Sequence, residues 1–594
     1  MAKVEARVHG GGFLLGPADD SLVFTPEQFD DDTRQIGALA EEFIRNQVLP
    51  RLDDLEEGRH EHSVALLRAA GELGLLAGDI PVKYGGLGLS KATTTYIAEK
   101  TGAASSFAIT MGAHTGIGTL PIVFFGTPEQ KQRYLPSLAS GERIAAYALT
   151  EPDAGSDALG AKTRADRQPD GSYRLTGQKQ WISNGAFADL FVVYAKVDGE
   201  QFTAFVVERE FGGLTHSSEW RKMGLKGSST VTIFLDNVPV PAANVLGQVG
   251  RGHVIAFNTL NIGRWKLAAG CLGSCKELIR MAVAFARERR QFGRTIASFP
   301  LTQQKLARMA ARTYALESMV YRTAGLFDDT LSQVDHEAED AGLKAAAAIA
   351  EYAVEASINK VFGSEALDFV VDEAVQIHGG YGYVQDYPVE RAYRDARINR
   401  IFEGTNEINR LLIPGTLLRR AMKGEIPLME ALGRVQQELG SLSPLAGMDA
   451  PADPLGALRA QIEGARKAAL MVAGLGVQKY MLQVEEEQEF LAAAGDLAIE
   501  LFAAESAVIR AQKAAAAGHP VAALHAALAR RLAAAGLGRF EQTARLALAG
   551  LEQGDTLRAQ LSLLRRLLRR EPENLVALGR EIGARVVESG GYPL

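Results

Sequence analysis

The spacing of apolar residues changes along the chain and divides it into helical and extended regions. Apolar positions recur at helical spacing between residues 26 and 145, for example at Ile36 and Ala40. From 146 to about 245 the pattern alternates in short runs punctuated by Gly, Asp and Asn, which predicts strands. Those runs are YRLTGQKQWIS, FVVYAKV, FTAFVVE and VTIFLDNVPV. Helical spacing returns at Gly252, so we predict helices, then a small antiparallel sheet, then helices again.

The C-terminal quarter has a different composition. A stretch rich in proline and glycine, 440–456, predicts a linker, and the Ala, Leu and Arg that dominate 457–594 favour further helices. The predicted fold is therefore α+β and mostly α. We predict five segments: an N-terminal helical domain (25–145), a middle β domain (146–250), a helical bundle (251–422), a linker (423–456) and an additional helical domain (457–594).

Composition narrows the function classes. A net charge of −7 over 594 residues supplies no broad positive field, which argues against a general nucleic-acid binder. The two cysteines, Cys271 and Cys275, exclude a disulfide framework or a cysteine-rich zinc site and are expected to be buried thiols. We find no signal peptide and expect no run long and apolar enough to cross a membrane. The expected location is the cytoplasm.

Several common nucleotide and nucleophile motifs are missing from the sequence. It contains no Gly-x-Gly-x-x-Gly, no Gly-x4-Gly-Lys-Ser/Thr and no Gly-x-Ser-x-Gly. Nicotinamide-type and P-loop sites, and the esterase chemistry that HGGGF near the N-terminus would suggest, are therefore disfavoured.

Three other segments are more specific. They are YALTEPDAGSD with QKQWISNGA (147–157 and 178–186), RERRQFGRTIASFP (287–300) and QIHGGYGYVQDYPVERAYRDARINRIFEGTNEINR (376–410). In this order they resemble the acyl-CoA dehydrogenase family, FAD enzymes that introduce a trans double bond between C2 and C3 of an acyl-CoA. The resemblance covers about 25–420. It implies an N-terminal helical domain, a small β-sheet or barrel domain and a C-terminal four-helix bundle. The helical tail further resembles the very-long-chain branch, whose members carry an additional C-terminal domain.

The resemblance implies that Glu403, in IFEGTNEI, is the catalytic base. Removing the weakly acidic α proton of a thioester needs a positioned base while hydride leaves the β carbon to the flavin. Ile401 and Phe402 before it are consistent with a buried carboxyl whose pKa is raised. The alternative is that Glu403 only caps a helix beginning near Thr405. Some branches place the base near the position of Gly263, where glycine cannot act.

Cofactor residues are implied in the sheet domain and after the base. In the sheet domain they are Tyr147, Thr150, Ser156, Trp181 and Ser183, with Ser156 also matching a position that touches the substrate's pantetheine arm. After the base they are Thr405, Asn406 and Glu407. Taken singly, Trp181 is equally explained as a core residue and Ser183 as a turn residue. Near the substrate, the matching positions are Asn261, Arg264 and Gly404, although Arg264 also suits a structural ion pair.

Another group of residues matches family positions that reach the FAD of a neighbouring subunit. The group is Arg289, Phe292, Gln376, Gly379 and Gly380. Arginine suits a pyrophosphate because its planar fork donates two parallel bonds. If these roles carry over, the chain needs a homo-oligomer, expected to be a dimer, to complete its site. A solvated helix charge is the alternative for Arg289.

Small residues in SSFAITMGAHTGIGTLP (105–121) predict a deep apolar groove, and with the C-terminal extension they favour a long acyl chain. In the tail, a leucine stripe flanked by arginines (556–573) has two interpretations, a helix on an anionic membrane surface or, as we favour, a helix packed in a bundle. A peripheral contact with the inner face of the membrane stays open.

We interpret the chain as an FAD-dependent acyl-CoA dehydrogenase of fatty-acid β-oxidation. The resemblance implies an electron-transfer flavoprotein as its acceptor. Two alternatives remain: an acyl-CoA oxidase that uses oxygen, and an assembly or interaction protein in which chemistry is secondary. Retention of Glu403 favours chemistry over scaffolding.

Overall fold

The structure is a computed structural model that describes residues 8–441 and 453–594. Helices come first, and their ends follow local sequence signals. Asp30 accepts a bond from the Thr33 amide at the start of the first helix, and Thr127 with Gln130 forms a capping box at the last. The N-terminal helices are α1 (Asp31–Phe43), α2 (Leu52–Glu56), α3 (His60–Glu72), α4 (Lys91–Thr101), α5 (Ser106–Gly112), α6 (Leu120–Phe125) and α7 (Pro128–Ala139).

One stretch in this region differs from the sequence-based expectation. Residues Ser106–Phe125 are long and apolar enough, by length and composition, to cross a membrane. In the structure, 72% of the 18-residue apolar window within this stretch is buried inside the protein. The stretch is also divided, because a π-helical segment, Ala113–Gly118, separates α5 from α6. It therefore has the placement of a core helix.

The middle of the chain forms a mixed sheet. Its strands are β1 (Ala145–Ala148), β2 (Arg164–Arg167), β3 (Tyr173–Ser183), β4 (Leu190–Val197), β5 (Gln201–Glu208), β6 (Leu214–His216), β7 (Thr230–Val240) and β8 (Val245–Leu246). The order is β6-β7-β3-β2-β4-β5-β8, with β1 also paired to β4. Most pairs are antiparallel as predicted, but β1 and β2 run parallel to β4. The four predicted runs correspond to β3, β4, β5 and β7.

The helices after the sheet form a bundle. They are α8 (Gly252–Glu288), α9 (Pro300–Leu331), α10 (Ala341–Ala350), α11 (Ala353–His378), α12 (Pro388–Ala396) and α13 (Asn406–Met422). A short hairpin, β9 (Arg290–Gln291) with β10 (Arg294–Thr295), joins α8 to α9. The long helix α8 packs on α4, α9 and α11, so it connects the N-terminal helices to the bundle. Both cysteines are buried and unpaired in α8, as expected.

The additional helices are α14 (Leu428–Ser441), α15 (Pro454–Tyr480), α16 (Gln488–Ala516), α17 (Ala522–Leu551), α18 (Gly554–Leu567) and α19 (Leu575–Ser589). They share one hydrophobic core with the bundle, to which Leu316 and Leu501 both belong. Buried ion pairs cross between the two groups: Arg322 binds Glu505 at 2.9 Å, and Arg510 binds Glu317 at 2.6 Å. Removing one partner of such a pair is strongly destabilising, which ties the two parts together.

Two C-terminal predictions can be compared with this arrangement. The segment 423–456 was expected to be a linker, but α14 occupies part of it because Leu428, Ala431 and Val435 lie on one buried face. Residues 442–452 lie outside the described residues. The leucine stripe of α18 faces the protein, where Leu564 is fully buried, as a bundle helix requires.

Candidate active site

A cavity of about 280 Å³ lies where α4, α5 and α8 meet the loop before α13. Its wall is mostly small and apolar. A side-chain carbon built on Gly112, Gly116 or Gly270 would meet nothing within 4 Å, so these glycines leave the cavity open. The first two come from the stretch that the sequence predicted to form a groove.

Glu403 projects into this cavity from the loop between α12 and α13. Its backbone is left-handed, with φ of 57°, which is uncommon for a residue with a side chain and marks a held conformation. Arg264 Nε donates to the Glu403 carbonyl at 3.2 Å. Asn409 Nδ2 donates to the carbonyls of Glu403 and Gly404 at 3.3 and 2.8 Å. These bonds fix the loop so that the carboxyl group faces inward.

The carboxyl group itself is left unpaired. Glu403 Oε2 is buried and has no hydrogen-bond partner among the described residues. A side-chain carbon at Gly263 would lie 2.5 Å from that oxygen, so only glycine there leaves room for the carboxyl group. Burial raises the pKa of Glu403 to about 7, although the charges of Arg264 and Lys360 oppose the shift. Such a carboxyl group can take up a proton near neutral pH.

The structure decides against a capping role for Glu403. Helix α13 begins at Asn406, and its N-cap is Thr405, whose hydroxyl accepts from the Ile408 amide at 3.3 Å. Glu407 lies exposed in the first turn of the helix. The carboxyl group of Glu403 therefore has no part in capping the helix.

Lys360 is a functional neighbour that the sequence did not indicate. Its ammonium group donates to the Gly404 carbonyl at 2.7 Å and to Asn406 Oδ1 at 2.6 Å. Burial lowers the pKa of Lys360 to about 8. The Asn406 amide in turn donates to Ser364 and Glu365, so it faces α11 in the protein interior. A lone lysine among the apolar residues of α11 was the signal that could have drawn attention to this position.

Substrate-side predictions cluster with the base. Asn261 and Arg264 are both buried, and Asn261 Oδ1 accepts from Arg264 Nη1 at 2.9 Å. The pair thus orients the guanidinium group whose Nε holds the Glu403 loop. Burial lowers the pKa of Arg264, while the neighbouring Glu403 carboxyl counteracts that shift.

The sheet faces the same cavity. Ser183, at the end of β3, lines it together with Glu403. Trp181, two residues earlier, has φ of 58° and a side chain that is 56% exposed, at a shift of register between β3 and β7. The Tyr147 hydroxyl is buried beside the Tyr194 ring, and burial raises its pKa well above the usual value. The roles of these three residues toward a cofactor stay predictions.

Two further sheet-domain predictions lie in the segment after β1. Thr150 is partly buried, and its carbonyl accepts from the Gln180 amide at 2.8 Å, which fixes this segment against β3. Ser156 is exposed on the following loop. Both roles stay predictions.

The residues predicted to reach a second subunit lie at the other end of α8. The Arg289 guanidinium stacks 5.3 Å from the Tyr381 ring, and Phe292, with φ of 50°, is 92% exposed. The remaining members of this group, Gln376, Gly379 and Gly380, are exposed at the end of α11. The 26 residues of helix between Gly263 and Arg289 span about 39 Å at 1.5 Å per residue, so this group is remote from Glu403.

The residues around the cavity fit a flavin. Ser183, at the end of β3, lines the sheet side of the cavity, and Glu403, with its unpaired carboxylate oxygen, lines the helical side. The exposed Trp181 ring belongs to the same strand, and the buried Tyr147 hydroxyl belongs to β1. FAD would be held from the sheet side by Ser183, with Trp181 and Tyr147 as further predicted contacts, and would supply a hydride acceptor there. The fold and the site are those expected of a flavin-dependent acyl-CoA dehydrogenase, the class that the sequence resembles.

Comparison with known proteins agrees. Acyl-CoA dehydrogenase family models match as N-terminal domain (30–142), middle domain (146–238) and C-terminal domain (250–418), and a further C-terminal domain model matches 464–566. The chain belongs to the acyl-CoA dehydrogenase family and is an FAD-dependent oxidoreductase.

Three relatives illustrate the likeness. A probable acyl-CoA dehydrogenase of Bacillus subtilis (strain 168) is 52% identical over 598 residues, covering 100% of both chains. The human mitochondrial very long-chain specific acyl-CoA dehydrogenase is 37% identical over 563 residues, covering 88% of this chain and 81% of its own. A crystal structure of an acyl-CoA dehydrogenase complexed with FAD from Bacillus anthracis has a TM-score of 0.97 at 50% identity. The match covers 99% of this chain and 100% of that chain. These relatives include the additional C-terminal helices.

Proposed function

We propose that the protein dehydrogenates long-chain acyl-CoA to trans-2-enoyl-CoA in fatty-acid β-oxidation, with Glu403 as the base. The observation that carries this proposal is the unpaired, buried Oε2 of Glu403, directed into an apolar cavity that Ser183 lines from the sheet. A group held in this way can take the α proton without first breaking a bond of its own. Bound FAD supplies the acceptor for the β hydride.

Neighbouring residues assist by positioning. Arg264 and Asn409 hold the Glu403 carbonyl, and Lys360 holds that of Gly404, so the carboxyl group meets the substrate in one geometry. Desolvation keeps the carboxyl pKa close to 7, where the carboxylate is populated and still basic.

This proposal predicts a pH dependence. Because the pKa of Glu403 is raised to about 7, the carboxyl group is protonated and inactive below that pH. The value of kcat/KM for palmitoyl-CoA should therefore rise as pH increases through about 7 and level off above it. Binding of a non-reactive acyl-CoA analogue over the same range separates affinity from proton abstraction. A profile that stays flat from about pH 5.5 to 8 would contradict the assignment.

Chain length is the second part of the proposal. Activity should rise from butyryl-CoA toward lauroyl- and palmitoyl-CoA, because the glycine wall leaves space for a long tail. Gly112→Leu should fill part of that space and lower the ratio of kcat/KM for palmitoyl-CoA to that for butyryl-CoA by about tenfold. Gly433→Leu, in open space on α14 and away from the cavity, is the matched control. A wild-type profile that peaks at butyryl-CoA would refute long-chain specificity.

We further propose that the reduced enzyme passes electrons to an electron-transfer flavoprotein. Membership of the acyl-CoA dehydrogenase family supports this acceptor. An acyl-CoA oxidase would instead pass the electrons to oxygen and form hydrogen peroxide. Turnover with an artificial acceptor and little hydrogen peroxide in air would favour the dehydrogenase. Stoichiometric peroxide would favour the oxidase.

A homodimer is proposed from the two separate groups of cofactor residues. Along α8, Arg289 and the following Phe292 are remote from Gly263, which lies beside Glu403, so a neighbouring chain would use them on its own side of a shared site. The location we propose is cytoplasmic. Among the tail helices, α18 carries Arg565 and Arg566 on an exposed face that suits a peripheral contact with an anionic membrane.

A further inference from the structure

A second, larger cavity lies behind the first. It measures about 1060 Å³ and is bounded by the chain before α1, the loop before α4, and helices α9 and α10. Its wall includes the apolar side chains of Phe29, Leu89, Phe124 and Leu331. This volume takes no part in the site built around Glu403.

The two cavities share one wall residue. Among the described residues, Asp79 is the member common to both linings. On one carboxylate oxygen it accepts a bond from Lys91, which lines the larger cavity, and on the other from Lys266, which lines the cavity of Glu403. The three side chains are 7, 11 and 16% exposed. An ionic bridge therefore forms the partition between the two spaces.

The bridge is anchored to three parts of the fold. Lys266 lies one turn after Gly263 on α8, and Lys91 is the first residue of α4. Asp328, on α9, accepts from the Lys91 and Ala92 amides and so fixes the start of α4. Burial opposes ionisation of Asp79, but the two ammonium groups outweigh it and hold the pKa of that carboxyl well below its usual range. Asp79 therefore stays ionised near neutral pH.

An alkyl chain has neither a charge nor a hydrogen-bonding group with which to replace a partner of this bridge. To extend into the larger cavity it would have to separate buried opposite charges, which apolar groups cannot compensate. Lys266 fills space on the acyl side of the bridge.

We propose that the Lys91–Asp79–Lys266 bridge limits the length of acyl chain that the active site accepts, with Lys266 as the specificity-determining residue. This inference rests on the proposed long-chain acyl-CoA activity. Behind the bridge, the apolar part of the larger cavity is space that a longer chain would occupy once the partition is opened.

The test is Lys266→Ala in the FAD-loaded enzyme. This change opens the wall on the acyl side and leaves Asp79 paired with Lys91. We expect the ratio of kcat/KM for behenoyl-CoA to that for palmitoyl-CoA to rise by about tenfold relative to wild type. The gain should appear mainly as a lower KM for behenoyl-CoA. A ratio taken within one variant cancels any general loss of stability.

Two controls keep the test decisive. Lys266→Arg retains a cation that can reach Asp79 and should keep the wild-type ratio. Lys91→Ala removes the other cation, which does not line the acyl cavity, and should also leave the ratio within about twofold. An unchanged ratio in folded, flavin-loaded Lys266→Ala, or an equal rise in Lys91→Ala, would overturn the proposal. The wild-type chain-length profile tests the proposed function separately.

Discussion

Glu403→Gln should keep FAD bound and yellow but abolish its reduction by palmitoyl-CoA. The amide has the same shape as the carboxyl group but cannot accept the α proton, so hydride transfer to the flavin loses its partner step. We expect the rate of flavin bleaching, followed by stopped-flow absorbance, to fall by about 10³- to 10⁴-fold. Substrate binding should change much less, because the cavity wall stays in place.

The chain offers a matched control for this change. Glu355, on α11, is also buried, and burial raises its pKa to about 7 as well. Its Oε1 accepts from the Gly11 amide at 2.7 Å, far along the chain from the active-site loop. Glu355→Gln makes the same chemical change at a comparable buried carboxyl group and should leave flavin reduction near the wild-type rate. Bleaching of Glu403→Gln at the wild-type rate would rule out Glu403 as the base.

The second large effect is expected at Gly263. In Gly263→Ala the new methyl group would lie 2.5 Å from Glu403 Oε2, closer than non-bonded atoms approach, so the carboxyl group must move. Displacing a catalytic group by about 1 Å can cost about 10²-fold in rate. We expect kcat for palmitoyl-CoA to fall by about that factor, with the flavin still bound.

Replacing glycine with alanine also stabilises the helix, and this effect has to be separated from the displacement of the Glu403 carboxyl group. Gly415→Ala, on α13, places a methyl group where nothing lies within 4 Å and serves as the control. Alanine favours helix over glycine by about 1 kcal/mol, so both variants should gain local helix stability. Only Gly263→Ala should lose activity. Equal activity of the two variants would show that the carboxyl group does not need its observed position.

Sequence patterns predicted the regular parts of the fold because each element carries its own period. The alternating run YRLTGQKQWIS has the same bounds as β3, Tyr173–Ser183. The parallel pairing of β1 with β4 could not be predicted, because it depends on contacts between segments about 45 residues apart. Likewise, α14 was not predicted, because the proline and glycine residues that follow it indicated a linker. Its apolar positions nevertheless have helical spacing.

An active-site residue could be predicted where it belongs to a recognisable sequence motif. It could not be predicted where its role depends on packing between distant segments. Glu403 follows from the segment IFEGTNEI, but nothing in that segment shows that Gly263, 140 positions earlier, supplies the space for its carboxyl group. The bridge at Asp79 carries no local signature either, and the lone lysine of α11, Lys360, does not reveal its partners. Their partners come from other helices and become visible only when side chains meet in three dimensions.

An anaerobic titration of the purified holoenzyme with palmitoyl-CoA, monitored by flavin absorbance, examines the central claim most directly. It should bleach the wild-type flavin at about one acyl-CoA per active site, while the Glu403→Gln protein stays oxidised in excess substrate. A wild-type protein that holds FAD yet stays yellow under these conditions would contradict the account.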